Sequence, residues 1–450
     1  MSGNITLRRT VAVLLTLIML FAALFGLSQL VKRKASDIQY ADFFKEKQNF
    51  DVLFLGTSRM MDAVYPMEMW QEHGFTSYNC GGHANALATT YWVAQMLLEY
   101  TTPKVMVIDC FDLTEEAKTS RNSFSYVHLS MDAFPLSRTK IRAVRDLLDD
   151  PEIERLIAEE KLINEDLGVS VQEEERKPIT LLWPFSVYHN RWSSLGRSDF
   201  RPMPNLEKGA ETTVGLSYPL EIDRIPPEEK LDEDTVSIAY LEKLIRDCQA
   251  RGIEVLLLYL PSYASETEQR EAHRLPDIAA EYGVECINFL DLDVVDVETD
   301  SYDDLHLNCS GAWKVSAFLG DYLAEHFELP DHREDPDYAA WQGDYKEYRA
   351  YRHSQLRGED ELIRYLLLLS DPNYEIEFSL GDGKLFTDAR TRGLLENLGI
   401  RENDPLRRPD GADLEIVVRD RVTGETADTV RGVYELNTEG ELTGVTLTHA

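Results

Sequence analysis

The sequence predicts an α/β protein with a parallel sheet, carried on one N-terminal membrane-spanning helix and followed by a small C-terminal α+β unit. Three observations point there. Short apolar runs at 51–55, 104–108, 252–260 and 284–289 alternate with helical patterns, which is how crossover units place helices on a parallel sheet. Residues 11–31 form an apolar run broken only by Thr16, Gly26, Ser28 and Gln29. Beyond residue 371 the periodicity changes to alternation with turn signals.

Taken in chain order, residues 1–35 read as a cytoplasmic tip and a transmembrane signal anchor. The 21 residues of 11–31 rise about 30 Å as a helix, the thickness of the hydrocarbon core. A cleaved signal peptide has a shorter apolar stretch and a small-residue cleavage site, whereas this run ends in Val31-Lys32-Arg33-Lys34. Because long downstream domains translocate largely regardless of flanking charge, the expectation is a single-pass protein of the cell membrane with its body extracytoplasmic. No cysteine precedes Cys80, which leaves no N-terminal cysteine for a lipid anchor.

Residues 45–330 read as the principal domain. Its first strand, 51–55, empties into Gly56-Thr57-Ser58-Arg59. Helical patterns follow at 84–100, with Leu87, Tyr91, Val93, Ala94, Leu97 and Leu98, and at 234–250, with Val236, Ile238, Leu241, Leu244, Ile245 and Cys248. Residues 117–230 interrupt the alternation with a charged, helix-like stretch at 140–175 and an aromatic one at 183–192; this is an insertion, too long for a plain loop. Residues 331–370 read as a helical connector. The 371–450 unit has strand-like alternation at 374–380 and 414–419, a helix at 388–398, and turns at Asp382-Gly383, Thr423-Gly424 and Glu439-Gly440.

Composition narrows the function. With 450 residues, 43% hydrophobic and 28% charged, the chain is globular and not disordered. Its net charge of 46 − 80 = −34 argues against nucleic acid, whose binding is driven by Lys and Arg on phosphates. Five widely spaced cysteines signal neither a disulfide framework nor a zinc site. No metal and no cofactor is expected.

Two places carry chemistry. Ser58 stands just past the carboxyl end of the first strand, where open α/β sheets build their sites; it is also placed to start the next helix. Asp303-Asp304-Leu305-His306-Leu307-Asn308 precedes an amphipathic helix with Val315, Phe318, Leu319, Tyr322 and Leu323 on one face. An Asp three residues before a His lets the carboxylate hold Nδ1–H while Nε2 faces a nucleophile. Asp and Asn before a helix also serve as caps. Elsewhere, Arg59 reads either as a helix-start residue or as a contact for an anionic substrate group. His83 reads as a turn histidine or an oxyanion donor. The stretch containing Tyr188, His189, Arg191 and Trp192 reads as a packed corner of the insertion or a sugar- or acyl-binding surface.

Together, the D-V-L-F-L-G-T-S-R block and the D-D-L-H block, in this order, resemble the SGNH (GDSL-like) hydrolase superfamily. The resemblance covers roughly residues 50–115 and 250–327. It implies a three-layer α/β/α, flavodoxin-like fold, with Ser58 as nucleophile, His306 as general base and Asp303 as its orienter. Asn79-Cys-Gly-Gly-His-Ala-Asn85 resembles the block that supplies an oxyanion donor, which implies a backbone N–H from Gly81, Gly82, Ala84 or Asn85. The family's Gly-x-Asn-Asp block is replaced by Val107-Ile-Asp-Cys-Phe-Asp112, without an Asn. The anchor and the phrase H-L-N-C-S-G-A-W-K resemble the cell-envelope branch, which includes DltD-type D-alanylation proteins and alginate O-acetylation proteins. That branch implies an O-acyltransferase or esterase working on an acyl group of a cell-envelope or exported polysaccharide, or on an acylated carrier, beside a membrane-bound acyltransferase. The alternative is a non-catalytic scaffold or carbohydrate-binding component of an envelope-polymer assembly.

Overall fold

The computed structural model describes residues 2–32, 34–119, 125–149, 178–183, 185–201, 204–402 and 409–450. Most of the charged stretch expected to be helical at 140–175 lies outside these; its start belongs to the helix Arg138–Leu148.

Five strands form one parallel sheet: β1 (Val52–Leu55), β2 (Ser77–Asn79), β3 (Val105–Asp109), β4 (Glu254–Tyr259) and β5 (Glu285–Asn288), in the order β2-β1-β3-β4-β5. The apolar runs form its centre because both faces are covered. Leu53, Leu55, Met106, Ile108 and Leu257 pack with the helices Leu87–Leu97 and Val236–Ala250 on one side. Val52, Phe54, Val105, Val107 and Leu256 pack on the other with Met60 of the helix Ser58–Ala63 and with Val315, Leu319 and Leu323 of the helix Cys309–His326. Alternate residues thus feed two cores, and an unbroken apolar run is what a strand buried on both faces requires. In this strand order the connections reverse direction between β1 and β3, and ligands of such sheets bind beyond the carboxyl ends at that switch point.

The C-terminal unit is an antiparallel sheet of β6 (Tyr374–Leu380), β7 (Leu414–Asp420), β8 (Thr426–Leu436) and β9 (Leu442–His449), paired in chain order. It shares a core with the first unit, since Tyr65, Cys309 and Trp313 pack in one cluster with Leu366, Phe386, Ile416 and Val430. The connector holds the junction through the helix Ala339–Arg357. Its fully buried Arg349 reaches Asp371 at 2.5 Å and Asp420 at 2.8 Å. Asn373 and Tyr348 both donate to Glu68 of the first unit, at 2.8 and 2.6 Å.

At the other end, the helix Ser2–Val31 contains one stretch, Leu7–Val31, long and apolar enough to cross a membrane. Its residues 7–27 are exposed, and protein covers only the last turn, where Ser28 and Val31 are buried.

Candidate functional site

β1 delivers its chain to the switch point through Gly56. This residue has φ +155°, and a Cβ there would stand 2.8 Å from Asp109 Cβ on β3, so only glycine lets the two strand ends approach. Thr57 then caps the helix Ser58–Ala63, its hydroxyl accepting from the Arg59 N–H at 3.2 Å. The cap fixes Ser58 as the first helical residue, half-exposed at the sheet's edge.

Ser58 Oγ lies 2.8 Å from His306 Nε2. On the far side of the ring, His306 Nδ1 stands 2.9 Å from both carboxylate oxygens of Asp303. The same carboxylate accepts the backbone N–H of Leu305 at 2.9 Å and of His306 at 2.8 Å. Partial burial pulls the Asp303 carboxyl upward, but the His306 ring and these two N–H groups outweigh it and hold it below the ordinary carboxylate range. Asp303 is therefore an anion under ordinary conditions and fixes the proton of His306 on Nδ1, leaving Nε2 as the acceptor.

The loop around the histidine is held at both ends. The Tyr302 N–H donates to the His306 carbonyl at 2.9 Å, and the Tyr263 N–H to that of Asp304 at 3.0 Å. Asn308 caps the helix Cys309–His326 through the N–H groups of Ser310 and Gly311, while its own amide donates to the Thr299 carbonyl at 3.0 Å. A strap from the end of the insertion then laces the two halves of the site together. The Glu211 N–H donates to the Met61 carbonyl at 3.0 Å, the Cys309 N–H to Thr213 at 2.8 Å, and the Ser217 N–H to Ser301 at 2.9 Å. Nothing in the composition of residues 211–217 marks this role, because the strap acts through its backbone.

The turn after β2 lies beside the helix Ser58–Ala63. Asn79 donates from its side chain to the carbonyls of Met60 at 2.6 Å and Val64 at 2.9 Å, which fastens the turn to that helix. Three of the expected oxyanion donors are already committed: the Gly81 N–H donates to Asn79 Oδ1 at 3.1 Å, the Gly82 N–H to the Gly56 carbonyl at 3.0 Å and the Asn85 N–H to the Gly82 carbonyl at 3.4 Å. Both glycines serve close packing, since a Cβ would meet Thr57 O at 2.7 Å from Gly81 and Ser130 Oγ at 2.7 Å from Gly82. Ala84 takes a left-handed backbone, φ 47°. Asn85 is buried and oriented by Ser130, whose hydroxyl donates to Asn85 Oδ1 at 2.7 Å, so its Nδ2 points the other way as a donor. The first N–H groups of a helix have no intrahelical partner, and Ser58 supplies one of them beside its own hydroxyl.

Asp62, one turn beyond Ser58, is a site residue with no signal in the sequence. Burial and the nearby Glu211 carboxylate, with a smaller push from Asp303, raise it to about 8, so near neutral pH it is an uncharged acid.

Other residues singled out in the sequence are placed elsewhere. Arg59 is buried: it donates to the Leu260 carbonyl and its guanidinium lies 4.4 Å from the Phe111 ring and 4.9 Å from that of Tyr259. It supports the sheet edge from below and is closed to a substrate, because its stem follows the inward face of the nucleophile helix. His189, Arg191 and Trp192 are not at the triad; they belong to a segment packed on the C-terminal end of the N-terminal helix. There Arg191 donates to the carbonyls of Val31 at 2.7 Å and Lys32 at 2.5 Å, and His189 pairs locally with Ser186 O at 3.1 Å. His83 makes no contact with the triad and lines a cavity of about 440 Å³ together with Met61, Glu211, Leu206, Ile38 and Gln39. This cavity runs between the helix Ser58–Ala63 and the short helix Ala35–Gln39 that follows the apolar N-terminal helix. Gln39 also donates to the Gly81 carbonyl at 2.5 Å, a tether across 42 residues that no local pattern announces.

No protein-family model and no curated protein sequence matches the chain.

Proposed function

We propose that this chain is a membrane-anchored, extracytoplasmic serine hydrolase or O-acyltransferase of the SGNH type, acting on an O-acyl group of a cell-envelope or exported polysaccharide. The observation that carries this reading is the relay from Asp303 through His306 to Ser58, with both links at hydrogen-bond distance. A scaffold has no use for that alignment. The extracytoplasmic side follows from the length of chain after the anchor, and the substrate class from the resemblance to the envelope branch.

As Ser58 Oγ bonds to the ester carbonyl carbon, its proton passes to His306 Nε2, and the imidazolium is balanced by Asp303 across Nδ1. The carbonyl oxygen becomes an oxyanion within reach of the Ser58 N–H, an interaction of the kind worth about 3–4 kcal/mol when a donor is preorganised. Collapse breaks the bond to the leaving alkoxide, which takes the proton back from Nε2, and the acyl group remains on Ser58. In the second half, a hydroxyl gives its proton to Nε2 as its oxygen attacks the acyl carbon, and Ser58 leaves with that proton. Water in this role gives hydrolysis; a polymer hydroxyl gives transfer. We favour transfer, with the acyl group supplied by a membrane-bound acyltransferase; the apolar N-terminal helix and the cavity beside the short helix Ala35–Gln39 that follows it support this reading.

The test is a fluorophosphonate probe on the full chain in detergent. Wild type should be labelled and Ser58→Ala should not. Equal labelling of the two would remove Ser58 as the nucleophile and leave the scaffold reading.

A further inference from the structure

Apart from the buried Tyr188, the aromatic stretch near residue 190 lies outside the core and away from Ser58 and His306, and its surroundings identify its partner. The elements Phe185–Tyr188, His189–Ser194 and Arg197–Phe200 all pack on the N-terminal helix. Trp183 meets the ring of Phe21 edge-on at 5.3 Å between centroids. The Phe185 N–H donates to Ser28 Oγ at 3.1 Å, and Arg191, itself paired with Asp199 at 2.9 Å, closes the helix end by donating to the Val31 and Lys32 carbonyls.

These contacts fix a depth. Between Arg9 and the first covered residue, Ser28, the bare stretch 10–27 rises about 27 Å, close to the roughly 30 Å hydrocarbon core. The outer boundary of the bilayer then falls near Leu27, and Phe21, six residues below, sits about 9 Å inside it. Trp183 is at the level of Phe21. In the segments that pack on the helix, or that adjoin these, Ile179, Trp192 and Phe200 are 54%, 71% and 63% exposed, too much bare apolar surface for a water-facing loop already packed on its other side. The local charge has the matching sign. Residues 178–201 carry Arg191, Arg197 and Arg201 against the single Asp199, and Lys32 and Lys34 lie alongside, in a chain whose net charge is −34.

We propose that residues 178–200 form a collar seated in the outer leaflet of the bilayer that the N-terminal helix crosses, with Ile179, Trp183, Trp192 and Phe200 among the acyl chains and the arginines at the headgroups. Aromatic side chains favour that interface, and amphipathic segments lie about 5–10 Å into it. The inference rests on reading the N-terminal helix as a membrane anchor. Its consequence is a fixed pose: a single helix leaves a domain free to pivot, whereas a helix with a collar holds the Gln39–Gly81 tether and the triad at a set height above the lipid.

The experiment uses the full chain in vesicles of phosphatidylcholine and phosphatidylglycerol. Four of the native cysteines, Cys80, Cys110, Cys248 and Cys309, are buried; Cys286→Ser removes the half-buried fifth. Ile179→Cys, Trp192→Cys and Phe200→Cys then each carry an environment-sensitive fluorophore. Leu17→Cys reports on the anchor and Val433→Cys, 55% exposed on the C-terminal sheet, reports on water. Lipids doxyl-labelled near the headgroup should quench positions 179, 192 and 200 by about twofold or more, as expected for immersion at that depth, and should leave 433 unchanged. Quenching of these three by aqueous iodide instead, with 17 still quenched by deeply labelled lipid, overturns the collar while the anchor stands. Protection from both quenchers overturns lipid as the occupant and points to a second copy of the chain. Loss of lipid quenching at 17 overturns the anchor and the collar with it.

Discussion

The loop 303–308 and the stretch 183–192 both concentrate side chains that invite a functional reading, yet the fold uses them in opposite ways. In the loop, the Leu305 and His306 N–H groups bind the Asp303 carboxylate, and the Asp304 and His306 carbonyls accept from Tyr263 and Tyr302. The histidine has little freedom left except to face Ser58. In the aromatic stretch, the polar groups are directed at the end of a helix, through Phe185 on Ser28 and Arg191 on Val31 and Lys32, while the Trp192 ring stays outside and Tyr188 is buried. Residue type shows what a side chain is able to do. Attachment to a sheet edge or to a helix end decides which of those things it does.

The largest expected effect tests the loop side of the comparison. Ser58→Ala and His306→Ala should each reduce turnover of a water-soluble ester by about 10³–10⁶-fold, and the double variant should lose little more, because groups that act as one unit are strongly non-additive. Asp303→Asn should cost about as much or somewhat less, since it mainly mis-sets the imidazole tautomer. Independent, multiplying losses from the single changes would mean that the relay at 2.8 and 2.9 Å is geometry without shared chemistry.

Much of this was legible in the sequence where burial on two faces produces an unbroken apolar run. β1, β3, β4 and β5 lie within a residue or two of the runs that predict them. β2 was not legible: it is the three residues Ser77, Tyr78 and Asn79, all buried, and polar atoms at a short edge strand leave no apolar pattern. The strap at 211–217 and the Gln39 tether were invisible for a different reason, since they act through backbone groups or across long separations. Arg59 shows the limit of neighbourhood as evidence. It adjoins the nucleophile in sequence, but one step along a helix turns a side chain by about 100°, and here that step leads from the cleft to the core.

A smaller effect, peculiar to the triad side, comes from Asp62. In the unfolded chain its carboxyl ionises near 3.9, while in the folded protein burial and Glu211 hold it at about 8. Between those values the folded state keeps a proton that the unfolded state has released, so stability from this group falls as pH rises from about 4 to about 8 and then levels off. Asp62→Asn keeps the uncharged shape and removes the titration. The variant should melt close to wild type at pH 4 and gain on it by about 1–3 kcal/mol by pH 9, a figure well below the full linkage value to allow for relaxation. Wild-type turnover should also decline above pH 8 as a second anion appears beside Asp303 and the forming oxyanion, and Asp62→Asn should lack that alkaline limb. A melting difference that is the same at both ends of the range would mean that Asp62 is ionised throughout.

The smallest effects belong to the aromatic stretch and separate its residues from the site most sharply. Arg191→Ala removes two hydrogen bonds to the helix end and the pair with Asp199; in detergent it should cost about 1–2 kcal/mol, the scale of a lost charge-assisted bond at a partly exposed position. Trp192→Ser, at a bare ring with no polar partner to orphan, should change stability by less than about 0.5 kcal/mol. Both variants should hydrolyse a water-soluble ester at the wild-type rate, because neither side chain reaches Ser58 or His306. In vesicles the two part company with the triad variants: the soluble-ester rate stays level, while turnover of a membrane-borne substrate falls as the collar loosens. If Trp192→Ser instead slowed the soluble ester in detergent, the ring would have to sit over the cleft, and the division drawn between the two segments would fail at that residue.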